Sequence, residues 1–206
     1  ISCNCYVKQP TEAQKEKIVK HIEKMNELAE KGPYVEGVMT KYYAPKSTES
    51  PKHGEVCFFT HENARIIDTM RNYIEKKVEN DLTDWLLAPL LVVSGIRANT
   101  MGHLSAFFKD KNDVGTFHKD AGTWKRVSEA IKVTCPVWSP EPCKVVCHNQ
   151  STNDLVKKLK GPFDLIYYDP PYNQHEYSHK YFLLNVIATN KKAAKWTEVT
   201  HMPDRE

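Results

Sequence analysis

Residues 143–172, "CKVVCHNQSTNDLVKKLKGPFDLIYYDPPY", decide the fold. The segment "CKVVCHN" reads as a strand and "STNDLVKKLK" as a short helix capped by Ser151 or Thr152. A second strand, Asp164 to Tyr168, is apolar and aromatic and lies between Gly161-Pro162 and Pro170-Pro171. Strand, helix, strand over about 27 residues is the βαβ unit, whose two strands run parallel with a right-handed crossover. The expected class is therefore α/β. Ligands of open α/β sheets gather at the carboxyl ends of the strands, which is where Asp169 stands.

The residues just after Asp169 are unusual for a strand end. Pro170 and Pro171 lack a backbone N–H and have fixed φ, so the turn is stiff and rich in carbonyl acceptors. A carboxylate beside such acceptors suits gripping an NH₂ group by both hydrogens. The Asp169 carboxylate and the Pro170 carbonyl would draw the nitrogen lone pair out of conjugation and aim it at an electrophile. Tyr172 offers a flat face on which a base can stack, worth about 1–3 kcal/mol. The plain alternative is a turn after a strand, since Asp, Pro and aromatic residues are ordinary there.

Upstream, residues 11–31 place Ile18, Ile22, Met25 and Leu28 on one helical stripe behind the N-cap Thr11. Residues 32–58 read as a long loop. A second helix is expected at about 60–78, capped by Thr60, with Ile66, Ile67, Met70 and Ile74 inward. The most apolar segment, 81–108, reads as a core helix from about 82, kinked near Pro89 and breaking up between Asn99 and His103. Residues 109–142 are polar and then extended. Asn99, Thr100 and His103 read either as a helix end satisfying its own carbonyls or, by the family resemblance given below, as groups on the substrate-facing side or bracing the catalytic pocket. Lys109, Lys111, His118, Lys119, Lys125 and Arg126 could track phosphates or be solvated surface.

With 29 basic and 26 acidic residues, composition permits a nucleic-acid partner without demanding one. Six cysteines without a CxxC pair, and no signal peptide or membrane-length apolar run, point to reduced thiols in a cytoplasm. His175 and His179 stand four apart with Glu176 between them, a zinc-hydrolase spacing, yet they come after a Pro-Pro turn and lack an evident third ligand. Cys3, Cys5 and His148 do not have a metal-ligand spacing, so no metal is expected.

"YYDPPYNQHEYSHKYFLLNVIA" closely resembles the DPPY segment of adenine-specific DNA methyltransferases. "FTHENARIIDTMRNYIE", "RANTMGHLSAFFK" and "HNQSTNDLVKKL" look like earlier segments of that family, so the resemblance covers roughly residues 55–190. It implies methyl transfer from S-adenosylmethionine to the exocyclic N6 amine of an adenine flipped out of double-stranded DNA, as in restriction–modification. It also implies that Asp169, Pro170, Pro171 and Tyr172 are the catalytic motif, with Asn173 holding the turn. Asn149, Ser151 and Asp169 would bear on the donor. The implied fold is a partial Rossmann-like methyltransferase. Residues 1–142 would be a mostly helical insertion reading the DNA target, and 143–206 the C-terminal part of the catalytic domain.

Two features depart from the family pattern. None of the eight glycines is spaced Gly-x-Gly, so the glycine loop that lets a backbone approach the donor is missing. Ser151 stands where an acid is common. The chain also lacks an initial methionine and ends before further strands, so the expectation is a piece of a longer methyltransferase, with a donor-less nucleic-acid-binding remnant as the alternative.

Overall fold

A computed structural model describes residues 5, 8–138, 144, 146–148, 150–170, 177–192, 194–197 and 200–202. Helices dominate them: α1 Glu12–Lys31, α2 Val38–Tyr42, α3 His61–Lys77, α4 Thr83–Arg97, α5 Ala121–Ser128, α6 Thr152–Val156, α7 Tyr177–Lys180 and α8 Phe182–Thr189. Helix α1 begins where expected. Thr11 accepts from the Gln14 amide while the Gln14 side chain accepts from the Thr11 amide, a full capping box. Its buried stripe is Ile18, Ile22, Met25 and Ala29, with Leu28 only half-buried. Thr60 caps α3 through the Asn63 amide, and Ile66, Ile67, Met70 and Ile74 are inward as the periodicity predicts.

Helix α4 lies at the centre, packing on α1, α3, α5 and α8. Trp85, Leu86, Leu87, Leu90 and Leu91 bury most of its girth, which is why it is apolar nearly all round. Pro89 lies within it, and the helix continues to Arg97 before the chain turns at Ala98.

Two helices were not legible in the sequence. Helix α2 lies inside the presumed loop, and its cap comes from another element. The buried Asp68 of α3 accepts from the amides of Gly37, Met39 and Thr40 and from the Thr40 hydroxyl, at 2.6–2.9 Å. Helix α5 falls in the polar stretch and is capped locally, by Asp120 accepting from the Thr123 amide at 2.7 Å.

The extended segment after α5 is held by asparagine side chains. Asn63 donates to the carbonyls of Val127 and Glu129 and accepts from the Ile131 amide; Asn26 donates to Val133 O and accepts from Val133 N. Each amide side chain offers the donor–acceptor pair that a neighbouring strand would have offered. Asn63→Ala is expected to destabilise the fold by about 2–4 kcal/mol, because it leaves three backbone groups unpaired, two of them buried. A urea midpoint unchanged from the parent would contradict this role.

The βαβ expectation meets a correction. Helix α6 forms and Ser151 is its N-cap residue, although the serine side chain makes no capping bond. Among the described residues, however, no β-strand forms, and an isolated antiparallel bridge joins Lys109 to Gly115. Residues 164–168 are not paired. Leu165, Ile166, Tyr167 and Tyr168 are 85, 67, 83 and 68 % exposed, and Val146 in the other expected strand is 62 % exposed. A parallel strand is stable only with neighbours on both edges and cover on both faces. The described residues supply neither, so the apolar run that marks a buried strand stands in solvent. No described helix is long and apolar enough to cross a membrane.

Candidate active site

Asp169 and Pro170 end this extended segment, and both are exposed. The Asp169 carboxylate has no hydrogen-bond partner among the described residues. Pro171, Tyr172 and Asn173 lie outside the described residues, as does Asn149 among the donor candidates. Ser151 is exposed, and its carbonyl accepts from the amides of Asp154 and Leu155 in the first turn of α6. His175 and Glu176 of the zinc-like spacing also lie outside, and His179 is buried on α7. No group of three metal-ligating side chains occurs among the described residues.

The segment that follows these candidate residues is firmly seated. Helix α8 buries Phe182, Leu183, Val186 and Ile187 against α4. Phe182 packs on Tyr43 and Phe58 with centroids 6.1 and 5.6 Å apart. The buried Arg71 of α3 donates from Nε to Ile187 O at 2.7 Å and from Nη2 to Ala188 O at 3.2 Å, closing the C-terminal end of α8. Burial pulls the Arg71 pKa down, with Glu75 opposing. Arg71 was missed from sequence, yet a signal exists: it lies four residues after Ile67 and three before Ile74, on the buried stripe of α3.

After α8 the chain returns to α2. His201 stacks on Trp196 at 4.5 Å and accepts the Tyr43 hydroxyl at its carbonyl, while Lys192 sits over Trp196 and Tyr42 at 4.4 and 4.9 Å. Burial pushes the Tyr43 hydroxyl up to about 12, so it stays a donor.

A second braced element is the segment that follows α4. Asn99 is fully buried. Its amide donates to Phe58 O, its Nδ2 donates to Cys57 O and Thr116 O at 2.9 Å, and its carbonyl accepts from Phe108 N. The helix-end reading of Asn99 is thus too local, since the side chain ties three separate segments together. Arg126, expected among phosphate-tracking groups, instead donates to the carbonyls of Ile96, Ala98 and Thr100 at 2.6, 2.6 and 3.1 Å. Lys109 pairs with Asp113 at 2.8 Å, leaving Lys111, Lys119 and Lys125 as exposed cations of this face.

Cys57 lies beneath this element. Burial, with Glu55 adding to it and Lys109 opposing, pushes its thiol up to about 12. At pH 8 its thiolate fraction is about 10⁻⁴, so an aromatic disulfide reagent is expected to titrate Cys57 only after unfolding in urea. Rapid native-state labelling of Cys57, located by peptide mass, would contradict that burial.

The family profile of the D12 class N6 adenine-specific DNA methyltransferases matches residues 1–200, and the chain belongs to that family. It is 28 % identical over 192 residues to the type II methyltransferase M.CviAII of Paramecium bursaria Chlorella virus 1, covering 92 % of this chain and 51 % of that protein. It is 28 % identical over 163 residues to the type II methyltransferase M.NlaIII of Neisseria lactamica, covering 76 % of this chain and 42 % of that protein. With the modification methylase LlaI of Lactococcus lactis subsp. lactis it shares 32 % over 145 residues, 65 % of this chain and 21 % of that protein. The chain thus spans about half or less of the length of these relatives. No solved structure matches.

Proposed function

We propose that the protein is a site-specific DNA methyltransferase acting on the N6 amine of a flipped adenine, the modification activity of a restriction–modification pair. What supports this is the family match over residues 1–200 together with the sequence Asp169-Pro170-Pro171-Tyr172. The carboxylate of Asp169 and the carbonyl of Pro170 accept the two amine hydrogens, and Tyr172 stacks on the base. As hydrogen bonding at the amine strengthens, its lone pair localises and becomes nucleophilic.

S-Adenosylmethionine is the proposed donor and supplies an electrophilic methyl group when bound. The described candidates do not by themselves fit it: Ser151 and Asp169 are both exposed, and no Gly-x-Gly cradle is present in the chain. The chemistry assigned to this chain is therefore that at the amine. The α/β sheet of the proposed methyltransferase fold would form around residues 143–149 and 164–168, where Val146 and Leu165 to Tyr168 face solvent. Residues 1–142 would carry target recognition and 143–206 the catalytic part.

The missing glycine cradle favours one other reading, a nucleic-acid-binding remnant without transfer activity. Nucleoside analysis of DNA from cells expressing the protein separates the two. N6-methyladenine that disappears with Asp169→Ala supports the enzyme. DNA binding without any methylated adenine supports the remnant and overturns the proposal.

A further inference from the structure

A cleft of about 390 Å³ opens between α2, the start of α3 and His201 of the returning chain, and none of the residues proposed for catalysis or donor binding lines it. Its charged lining is Lys41, Lys46, Glu36 and Glu55, joined by His61 and His201. The walls are held by short bonds. His61 donates its main-chain N–H to Thr48 Oγ1 at 2.9 Å, and its Nδ1 lies 3.0 Å from Pro45 O. His201 Nδ1 lies 2.7 Å from Tyr42 O. A carbonyl only accepts, so both rings carry a proton on Nδ1. Glu55 spends both carboxylate oxygens on the amides of Lys46 and Lys52, at 3.2 and 2.7 Å.

The two lysines have no such tie. Both are exposed, and neither ammonium has an acidic partner among the described residues. Exposed lysines are ordinary on protein surfaces. Here, however, two of them line one cleft, and the Lys192 ammonium is held 4.9 Å from the ring of Tyr42, which lines it too. Three ammonium groups thus stand against the carboxylates of Glu36 and Glu55, which leaves one positive charge before either histidine is charged. That balance suits a phosphodiester, which carries a single negative charge, better than a phosphate monoester, which carries nearly two. When charged, either ring also gains an Nε2–H donor for the anion. Glu36 works against it, with Oε1 4.0 Å from His61 Nε2.

We infer that this cleft seats one phosphate of the DNA backbone, bound by Lys41 and Lys46 and opposed by Glu36. This rests on the adenine-methyltransferase reading. It gives α2 and the start of α3 a part in holding the duplex rather than in reading its bases.

The test is filter binding of the whole protein, K41A/K46A and E36Q to two duplexes of unrelated sequence over a range of salt concentrations. Losing one phosphate contact flattens the slope of log affinity against log salt by about 0.9, so K41A/K46A should show that change and bind about fivefold to tenfold more weakly near 0.1 M salt. The loss should be the same on both duplexes, because a backbone contact carries no sequence information. E36Q should tighten binding to both by about twofold to fivefold, since it removes a negative charge beside the anion; a damaged fold would not produce that gain. An unchanged slope in K41A/K46A, a loss confined to one duplex, or no gain in E36Q overturns the inference. Inorganic phosphate bound in calorimetry by the parent but not by K41A/K46A, with the DNA slope unchanged, would make the ligand a free anion and overturn it as well. If the parent binds neither duplex, the methyltransferase reading falls, and the phosphate seat with it.

Discussion

Asp169→Ala is expected to lower methyl transfer by at least about 10²-fold, the usual loss when a preorganised hydrogen-bonding group at a reacting centre is removed. The effect should fall on the chemical step, because the carboxylate matters most once the amine begins to give up its lone pair. DNA affinity, set mainly by contacts to the backbone phosphates, should change little. Stability should stay within about 0.5 kcal/mol, since Asp169 is exposed and has no hydrogen-bond partner among the described residues. Asp169→Asn is the sharper variant. It preserves shape and one acceptor oxygen but places a donor against the amine, and it should retain more activity than alanine only if the amide can turn its oxygen inward. The measurement is single-turnover methylation beside a filter-binding isotherm and a melting curve. A variant that melts and binds like the parent and still methylates at the parental rate would remove Asp169 from the mechanism. A variant that loses transfer and melting temperature together would make the residue structural instead.

How far the sequence could be read depended on whether the signal was local. Helices α1 and α3 were legible because their caps, Thr11 and Thr60, and their inward stripes all lie within a few residues of one another. Helix α2 was not, because the group that terminates it properly, Asp68, is some thirty residues away. Helix α5 could have been found from Asp120 and Thr123, but the surrounding polarity masked it. Around the candidate site, Asp169 and the prolines after it could be singled out from the sequence, whereas the long-range contacts of Arg71 and Asn99 could not. Arg71 reads as one more charged helix residue until its guanidinium is seen on the last carbonyls of α8, and Asn99 reads as a helix end until its amide is seen joining Cys57 to Thr116. The strand expected at 164–168 is absent for a related reason. Composition marks a segment as fit for a sheet, but strand formation is a property of neighbours, and Leu165 to Tyr168 have none among the described residues.

Asp68→Ala is expected to destabilise the fold more than Asn63→Ala does, by about 3–5 kcal/mol, because buried donors left without an acceptor each cost about 1–3 kcal/mol. The carboxylate is buried. Oδ2 accepts from Gly37 N at 2.8 Å, Thr40 N at 2.8 Å and Thr40 Oγ1 at 2.6 Å, and Oδ1 accepts from Met39 N at 2.9 Å. One side chain of α3 thereby satisfies the open N-terminal amides of α2. Asp68→Asn cannot substitute: with its oxygen at the Oδ2 position it loses Met39, and with its oxygen at Oδ1 it loses the other three. Gly37→Ala attacks the same contact from the opposite side, since its Cβ would lie 2.8 Å from Asp68 Oδ1. The consequence reaches the candidate site through packing. Helix α2 leads into Tyr43, whose carbonyl accepts the amides of Phe58 and Phe59 and whose ring packs on Phe182, the first residue of α8. Losing the cap should therefore loosen α8, the helix that seats the chain just beyond the catalytic turn, before it unfolds the core. Thermal melting should fall by about 10 °C or more, and amide exchange should rise first in residues 38–43 and 182–189. Melting within about 2 °C of the parent, or exchange rising only in α1, would show that α2 is held by something other than Asp68 and that no path runs from this cap to α8.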